Sequence, residues 1–249
     1  MPEGDVVWHA AARLNRALAG KTLTKSDFRV PRYATLDLRG RTVDETVSRG
    51  KHLLTRIGDV TVHTHLKMEG VWRVFTPGQR WNRPAHQARL ILAAEGHEAV
   101  GFALGIVEVL PRAKEEDVVG HLGPDLLGAD WDPDEAARRL LSDPARPLGL
   151  ALLDQTNLAG IGNIYRSEIC WVSRVDPRTP VGEVDDLPAL VNNAHDVLMS
   201  ATHQPPWRPR AYQRSRMPCR RCGSGIESQA LSDDPANQRH VWFCPKCQR

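Results

Sequence analysis

The first residues of the chain, Met1-Pro2-Glu3-Gly4, have types and an order that could perform covalent chemistry. Once Met1 is removed, Pro2 carries a free secondary amine, which attacks an electrophilic carbon to give an iminium ion that cannot lose an N–H proton. The cation then acts as an electron sink, as a lysine Schiff base does. Glu3 adds a carboxyl group that can transfer protons beside it. The alternative is a proline that merely follows the start codon.

Four of the five cysteines form two Cys-x-x-Cys pairs near the end of the chain, Cys219 with Cys222 and Cys244 with Cys247. Each pair is a tight turn that directs two thiolates at one point, and two such turns complete the tetrahedral shell of one Zn²⁺ ion. Because protein fills all four positions, the predicted site is structural. Disulfides are the alternative and are uncommon in the cytosol, and His240 is a possible substitute ligand.

Positive charge is concentrated in the same part of the chain. From Arg208 onward the sequence contains eight Arg, one Lys and three acidic residues, which gives this segment a net charge of +6. The whole chain carries +3. A basic segment suggests a phosphate-rich partner, and a solvated tail is the alternative. The chain contains no apolar run of about 18 residues, the length that would predict a membrane span. The N-terminus lacks the features of a signal peptide, so we expect a cytoplasmic protein.

Hydrophobic periodicity predicts one helix and then a series of short strands. The helix covers Asp5–Ala19, has one apolar face and ends at Gly20. Seven strand candidates follow, rich in β-branched residues and separated by glycines: Thr35–Leu38, Thr42–Val47, His52–Ile57, Val60–His65, Val71–Phe75, Arg89–Ala93 and Ala99–Leu110. Many short strands joined by short turns favour a β-sandwich or a barrel.

After Pro111 the pattern changes to a linker-like stretch and then to helices. Four helices are predicted, Asp134–Leu141, Leu148–Gln155, Asn163–Trp171 and Leu187–Ala201. The glycine-containing break at 157–162 has the outline of a helix-turn-helix DNA reader; an ordinary helix–helix corner is the alternative. Cys170, which lies in an apolar stretch, is expected to be a packed core thiol.

Five segments occur in a characteristic order along the chain. They are Pro2-Glu3-Gly4, Arg49-Gly50-Lys51-His52-Leu53-Leu54, His65-Leu66-Lys67-Met68-Glu69-Gly70, the run from Leu153-Asp154-Gln155 through Gly160-Ile161-Gly162-Asn163-Ile164-Tyr165, and the cysteine quartet. Together they resemble formamidopyrimidine-DNA glycosylase and endonuclease VIII, and the resemblance covers the whole chain.

The resemblance implies an α+β multidomain fold. Residues 1–115 would form an N-terminal β-sandwich with an N-terminal helix, 116–130 a linker, 131–213 a helix-two-turn-helix DNA-binding domain and 214–249 a four-cysteine zinc finger. The implied protein is a monomeric, nucleoid-associated enzyme of base excision repair that binds damaged DNA, with DNA glycosylase and DNA-(apurinic or apyrimidinic site) lyase activities.

The resemblance also implies a mechanism. Pro2 would attack C1′ of the damaged nucleotide, and Glu3 would protonate the sugar ring oxygen as the base leaves. The iminium ion makes the C2′ protons acidic, so β- and δ-elimination would cut the strand on both sides. The product would be a one-nucleotide gap flanked by phosphates.

Three further residues match family positions that contact phosphates. They are Lys51 near the lesion, Asn163 at a helix N-terminus and Arg239 around the flipped nucleotide. By the resemblance Lys51 belongs with Pro2 and Glu3 to the catalytic residues; without it, a solvated lysine at a strand end is the favoured interpretation of Lys51. Asn163 is also consistent with a helix cap, and both roles are compatible.

Two other residues match family positions by the same resemblance. Met68 would be an apolar wedge that fills the space left by the flipped base, with a core methionine as the alternative. Glu168 would lie near the active site and belong to the DNA-binding residues, with a salt bridge on a helix face as the alternative.

The departures from the family pattern concern the substrate. The formamidopyrimidine branch has an Arg-Phe pair after the sandwich strands, whereas the corresponding segment here, residues 101–108, has no arginine. Residues 70–74, Gly-Val-Trp-Arg-Val, resemble endonuclease VIII. We therefore expect oxidised pyrimidines to be preferred over 8-oxoguanine, and activity on bubbles or single strands beside duplex DNA. A non-catalytic zinc-ribbon DNA-binding protein and a zinc-stabilised RNA-binding factor are the rival interpretations.

Overall fold

The computed structural model describes residues 2–203, 208–234, 236 and 238–249, so Met1 lies outside the described residues. The chain forms two compact units. The first comprises Pro2 and Val6–His121, and the second comprises Glu3–Asp5 and Leu122–Arg249. Within the described ranges, no helix combines the length and apolar content needed to cross a membrane.

The first unit contains one long helix and two antiparallel sheets. Helix α1 covers Gly4–Leu18 and its apolar face is buried, which confirms the predicted N-terminal helix. One sheet has the order β1-β6-β7-β5 and the other the order β2-β3-β4-β8. The strands are β1 Lys25–Phe28, β2 Glu45–Arg49, β3 His52–Ile57, β4 Val60–His65, β5 Val71–Phe75, β6 Ala88–Ala94, β7 His97–Phe102 and β8 Ile106–Pro111.

Both sheets and α1 contribute to one apolar core, which confirms the predicted β-sandwich. Its members include Leu14 and Leu18 from α1, Leu53 and Ile57 from β3, and Leu90 and Leu92 from β6. Leu53, Thr55 and Ile57 occupy alternate positions of β3 and are buried, as expected for the strand face that packs against a core. A short helix, α2 (Glu116–Val119), follows the last strand of this unit.

Strand register brings three turns to one end of the β2-β3-β4-β8 sheet. His52 at the start of β3 pairs with His65 at the end of β4. His65 in turn pairs with Ile106 at the start of β8. The turns at 50–51, 66–70 and 103–105 therefore lie side by side.

The sequence prediction of strands is exact for β3, β4 and β5 and wrong in three places. The segment Thr35–Leu38 is not a strand, because the chain turns after Pro31–Tyr33. The single strand predicted over Ala99–Leu110 is interrupted by a turn in which Ala103 has a φ of 48°. Strand β1 was not predicted, since its sequence Lys-Ser-Asp-Phe shows no apolar alternation.

The second unit is helical and carries a two-stranded hairpin. Its helices are α3 Pro133–Leu140, α4 Leu148–Ala151, α5 Asn163–Ser173 and α6 Leu187–His203, and the hairpin pairs β9 Glu227–Ala230 with β10 His240–Phe243. The side chain of Asp132 caps α3 by accepting from the amides of Asp134 and Glu135, and Pro133 occupies the first turn. Apolar residues of α5 and α6 share a buried cluster that includes Ile169 and Leu198.

Helix α4 is shorter than predicted, because side chains stabilise turns after it. The predicted helix Leu148–Gln155 ends at Ala151. The Gln155 amide group donates to the carbonyl oxygens of Leu153 and Ile161 at 2.7 and 2.9 Å and accepts from the amide of Gly160 at 3.1 Å. These bonds replace the helical ones and fix the segment that leads into α5.

An ion pair connects Arg56 of β3 to Glu115, which lies just before α2. The Arg56 guanidinium donates to both oxygens of Glu115 at 2.9 and 2.6 Å, and the Thr61 hydroxyl donates to the same carboxylate. Burial raises the pKa of Glu115, but donation by Arg56 and Thr61 outweighs burial and holds it below its ordinary value.

We expect Glu115→Gln to lower the free energy of unfolding at pH 7 by about 1–3 kcal/mol, since it removes charge-assisted bonds. A depressed carboxyl pKa stabilises the fold above the unfolded pKa, and this stabilisation is lost as the pH falls through the folded pKa. Urea unfolding between pH 7 and pH 3 should therefore show the two proteins converging in acid. The matched control is Asp59→Asn, whose side chain is 82% exposed, with an effect of about 0–1 kcal/mol. A pH-independent difference would contradict the assignment.

Candidate active site

The carboxylate of Glu3 caps helix α5. It accepts hydrogen bonds from the backbone amides of Gly162 at 2.9 Å, Ile164 at 2.7 Å and Tyr165 at 3.2 Å. The residue is 1% exposed. The first amides of a helix have no partner within it, and the helix dipole favours negative charge at that end. The arrangement therefore fixes the position of the side chain.

Glycines permit this close approach. A Cβ at Gly162 would lie 2.4 Å from Cδ of Glu3, and a Cβ at Gly4 would lie 3.0 Å from Cα of Gly160. The amide of Gly4 donates to the carbonyl oxygen of Gly160 at 2.9 Å. Gly160 has a φ of +109°, which disfavours other residues. The Gly-Ile-Gly segment before α5 thus packs against Glu3 and Gly4 and hydrogen-bonds to both.

Burial affects a second titratable group beside Glu3. Tyr165 is 2% exposed. Burial raises the pKa of Tyr165, and the nearby carboxylates of Asp5 and Glu3 raise it further. Its phenol therefore stays neutral throughout the physiological range.

Asn163 is the first residue of α5 and is 8% exposed. Its amide nitrogen donates to the carbonyl oxygen of His240 at 3.1 Å. Its buried Oδ1 has no hydrogen-bond partner among the described residues. Since Glu3 already occupies the neighbouring backbone amides, the phosphate contact predicted for Asn163 stays a prediction that depends on its side chain.

Glu168, farther along α5, is fully buried. Its carboxylate accepts from the backbone amides of Arg210 at 2.8 Å, Ala211 at 2.7 Å and Tyr212 at 2.8 Å. Burial raises the pKa of Glu168, and the three amides oppose that shift. The carboxylate is therefore bonded to backbone rather than presented to a ligand, and it fastens residues 210–212 to α5.

Sequence reasoning missed Arg166, which is 0% exposed. Its guanidinium donates to the carbonyl oxygens of Leu231, Arg239 and His240 at 3.1, 3.2 and 3.1 Å. Burial lowers the pKa of Arg166 to about 10, so it remains charged at neutral pH. An arginine among the apolar residues of a predicted helix was the available signal. The Arg239 side chain, by contrast, is exposed.

Lys51 and Met68, both predicted site residues, lie in the adjacent turns of the first unit. Lys51 is half-buried in the turn between β2 and β3. Met68 is 64% exposed in the turn between β4 and β5. The core-methionine alternative is therefore wrong. Pro2 is half-buried and belongs to the same unit.

A group of histidines behind these turns was also missed. His52 Nδ1 lies 2.8 Å from His63 Nε2, and His63 Nδ1 lies 3.0 Å from a carboxylate oxygen of Glu108. Burial lowers the pKa of His52 to about 3 and that of His65 to about 4, with further lowering by neighbouring histidines and lysines. Both rings are neutral at pH 7. The signal was their placement on paired strands, which becomes visible only once the register is known.

The third turn at this end is short. Only Ala103, Leu104 and Gly105 join β7 to β8. Leu104 is 3% exposed and Phe102, just before the turn, is fully buried, so neither projects into solvent. This segment corresponds to the one that lacks the Arg-Phe pair.

The four cysteines of the predicted quartet converge. The sulfur atoms of Cys219, Cys222, Cys244 and Cys247 all lie within 4.8 Å of one another, a geometry that can hold a metal ion. The indole of Trp171 donates to Cys219 Sγ at 3.4 Å, and the guanidinium of Arg221 lies 4.1 Å from the centroid of that ring. Cys170 is fully buried apart from this cluster, which confirms it as a core thiol.

Two family models match the chain. Residues 1–103 match the formamidopyrimidine-DNA glycosylase N-terminal domain, and residues 122–205 match the H2TH domain of the same family. The chain belongs to the formamidopyrimidine-DNA glycosylase family. The resemblance found in the sequence is thereby confirmed.

Relatives within this family are similar over the full chain. A protein of Streptomyces coelicolor named "Probable endonuclease 8 2" is 52% identical, with 100% of this chain and 94% of that protein covered. "DNA-(apurinic or apyrimidinic site) lyase Nei2" of Mycolicibacterium smegmatis is 46% identical, with 100% and 99% covered. "Endonuclease 8 1" of Mycobacterium tuberculosis is 33% identical, with both chains fully covered.

Solved structures of the family share the fold. The crystal structure of Lactococcus lactis formamidopyrimidine-DNA glycosylase, non-covalently bound to DNA with an abasic site, superposes with a TM-score of 0.85 at 22% identity, and both chains are covered completely. The predicted combination of β-sandwich, helix-two-turn-helix region and four-cysteine cluster is therefore the fold of this family member.

The Glu3 cap can be tested without measuring activity. In Gly162→Ala, the added methyl group would displace the Glu3 carboxylate, leaving three buried amides without their acceptor. We expect the free energy of unfolding to fall by about 1–3 kcal/mol. The matched control is Gly225→Ala, where a Cβ would meet no atom within 4 Å. Equal unfolding curves for Gly162→Ala and the parent protein would refute the cap.

Proposed function

We propose that the protein is a bifunctional DNA glycosylase and AP lyase whose nucleophile is the amine of Pro2, freed by removal of Met1. Membership of the family makes it a DNA glycosylase and AP lyase of base excision repair. The observation that carries the mechanism is the fixed carboxylate of Glu3, held by three amides directly after Pro2. A rigid proton-transfer group beside a secondary amine is what covalent attack on a sugar carbon requires.

The three amides orient the Glu3 carboxylate, so that it can accept a proton and then donate it. Pro2 attacks C1′, the bond from C1′ to the base breaks, and the departing base takes a proton from water. Glu3 accepts the N–H proton of Pro2 and returns it to the sugar ring oxygen as the C1′–O4′ bond opens to give the iminium ion. The iminium ion that remains withdraws electrons from C2′. Loss of a C2′ proton expels the 3′ phosphate, and a second elimination expels the 5′ phosphate.

Other residues would bind the DNA. Lys51 and Arg239 would contact phosphates as cations, and Asn163 would donate an N–H of its side-chain amide, the group that also donates to the carbonyl oxygen of His240. The exposed Met68 enters the space that the flipped base leaves. Glu168 supports this surface by fastening residues 210–212 rather than by touching DNA.

The cysteine cluster would hold one structural Zn²⁺ ion. Four thiolates of two Cys-x-x-Cys turns are the preferred ligand set of zinc, and a complete protein shell leaves no position for substrate. We propose the division given above: sandwich 1–115, linker 116–130, helix-two-turn-helix domain 131–213 and finger 214–249. The enzyme would act as a monomer on nucleoid DNA in the cytoplasm.

Oxidised pyrimidines are the proposed substrates. The turn at 103–105 supports this, because its three residues carry no side chain able to occupy the gap opposite the lesion. Relatives named endonuclease 8 point the same way. Without such a side chain the enzyme does not require a paired base, so bubbles and single strands are substrates as well.

Borohydride trapping tests the nucleophile. An oligonucleotide with an abasic site should form a covalent adduct with the trimmed protein, because reduction fixes the iminium ion. We expect acetylation of the N-terminus to abolish this adduct while DNA binding persists. Lys114→Met is the matched control, because it removes an exposed side-chain amine in the short turn after β8. This variant should form the adduct as the parent protein does. No adduct from the unmodified protein, despite tight binding, would instead support a non-catalytic zinc-ribbon DNA-binding protein.

Lesion preference is tested by single-turnover excision. We expect 5-hydroxycytosine to be removed at least about tenfold faster than 8-oxoguanine opposite cytosine, equivalent to about 1.4 kcal/mol of transition-state binding. Excision from a bubble should retain most of the duplex rate. Equal rates for the two lesions would overturn the pyrimidine preference but leave the nucleophile unaffected.

A further inference from the structure

The buried guanidinium of Arg166 joins helix α5 to both ends of the connection between β9 and β10. Leu231 follows β9, whereas Arg239 and His240 lie at the start of β10, and their carbonyl oxygens all accept from Arg166. A fourth carbonyl oxygen, that of Gly149, lies 3.4 Å from Nη1. One planar cation on α5 thus bonds to α4 and to both ends of the β9–β10 connection.

Arg166 has no carboxylate partner among the described residues, and its Nε has no acceptor there. A buried cation held only by carbonyl groups is unfavourable compared with an apolar side chain of similar volume. A packing role would be served better by methionine or leucine. The bonds to the β9–β10 connection therefore point to a purpose other than stability.

Further contacts fix the backbone on both sides of Arg239. The amide of Leu231 donates to the carbonyl oxygen of Arg239 at 2.9 Å. Asn163 donates to the carbonyl oxygen of His240, and the amide of Trp242 donates to the hydroxyl of Ser167. The main chain of Arg239 is thus held while its side chain stays exposed.

We propose that Arg166 is the positioning residue for Arg239: its buried guanidinium fixes the backbone from which Arg239 reaches a DNA phosphate. The inference rests on the proposed phosphate contact of Arg239. It also joins two parts of the site, since Glu3 caps the first turn of α5 and Arg166 lies in the next one. A shift of α5 would move the proton-transfer group and the phosphate contact together.

The test combines Arg166→Met, which keeps the volume without a buried charge, with Arg239→Ala. The probe is a duplex containing a tetrahydrofuran abasic-site analogue. We expect each single variant to weaken binding about tenfold, the loss of one charge-assisted contact to phosphate. Because Arg166 acts through Arg239, the double variant should bind no more weakly than Arg239→Ala, within about twofold.

Arg178→Met is the matched control, because Arg178 stacks on Phe243 of β10 at 4.5 Å without touching the Arg239 backbone. It should lower Tm and leave binding of the probe unchanged. If Arg166→Met does not fold, Arg166→Lys keeps the charge but cannot bond all three carbonyl groups at once, and the same comparison applies. Full additivity of the two losses, or unchanged binding by the Arg166 variant, would overturn the proposal.

A second measurement separates this proposal from the role of Arg239. Hydrogen exchange at the Leu231 amide, in the protein without DNA, should accelerate about tenfold or more in the Arg166 variant and stay unchanged in Arg178→Met. If exchange accelerates but Arg239→Ala binds the probe normally, the phosphate contact of Arg239 fails while the positioning of its backbone stands. Unchanged exchange refutes the positioning itself.

Discussion

The carboxylate of Glu3 at the N-terminus of α5 is the interaction on which the second unit's site depends. Three amides hold it, and they can do so only because residues 4, 160 and 162 are glycines. The segment before α5 is itself fixed by Gln155 rather than by regular secondary structure. Glu3 and Gly4 are thereby fixed by hydrogen bonds to the segment before α5 and to its first turn, although they belong to no strand.

Helix α5 makes buried polar contacts with other segments of the chain, whereas an amphipathic surface helix would expose such groups to solvent. Glu3 occupies its first amides, Arg166 binds the carbonyl groups near Arg239, and Glu168 binds the amides of residues 210–212. Each of these three side chains bonds to backbone of another segment, which ties those segments to the helix. Such networks are costly when incomplete, which explains why the substitution at Gly162 is expected to have a large effect.

Periodicity predicted a β-sandwich or barrel followed by helices, because strands β3 to β5 and helices α1, α3 and α6 have clear patterns, and the cysteine spacing predicted a metal site. The resemblance to the family implied how these parts combine. It failed at β1, whose residues carry no apolar alternation, and at 99–110, where only a positive φ reveals the turn. The predicted site residues could be named from motifs, but not their hydrogen-bond partners. That Glu168 is buried against amides, that Glu3 caps α5 and that Arg166 contacts the backbone of Arg239 depend on long-range contacts that no local pattern encodes. The pairing of His52, His63 and Glu108 likewise follows from strand register.

Trp171 gives the cysteine cluster a further significance. Its indole nitrogen donates to Cys219 Sγ, and its ring lies against the guanidinium groups of Arg221 and Arg210 at 4.1 and 5.8 Å. Oxidation of Cys219 to a sulfenic or sulfinic acid would remove a metal ligand and the acceptor of this tryptophan in one step. The ring that contacts the two arginines would then lose its bond to that sulfur, so one thiol connects the predicted metal site with two basic side chains.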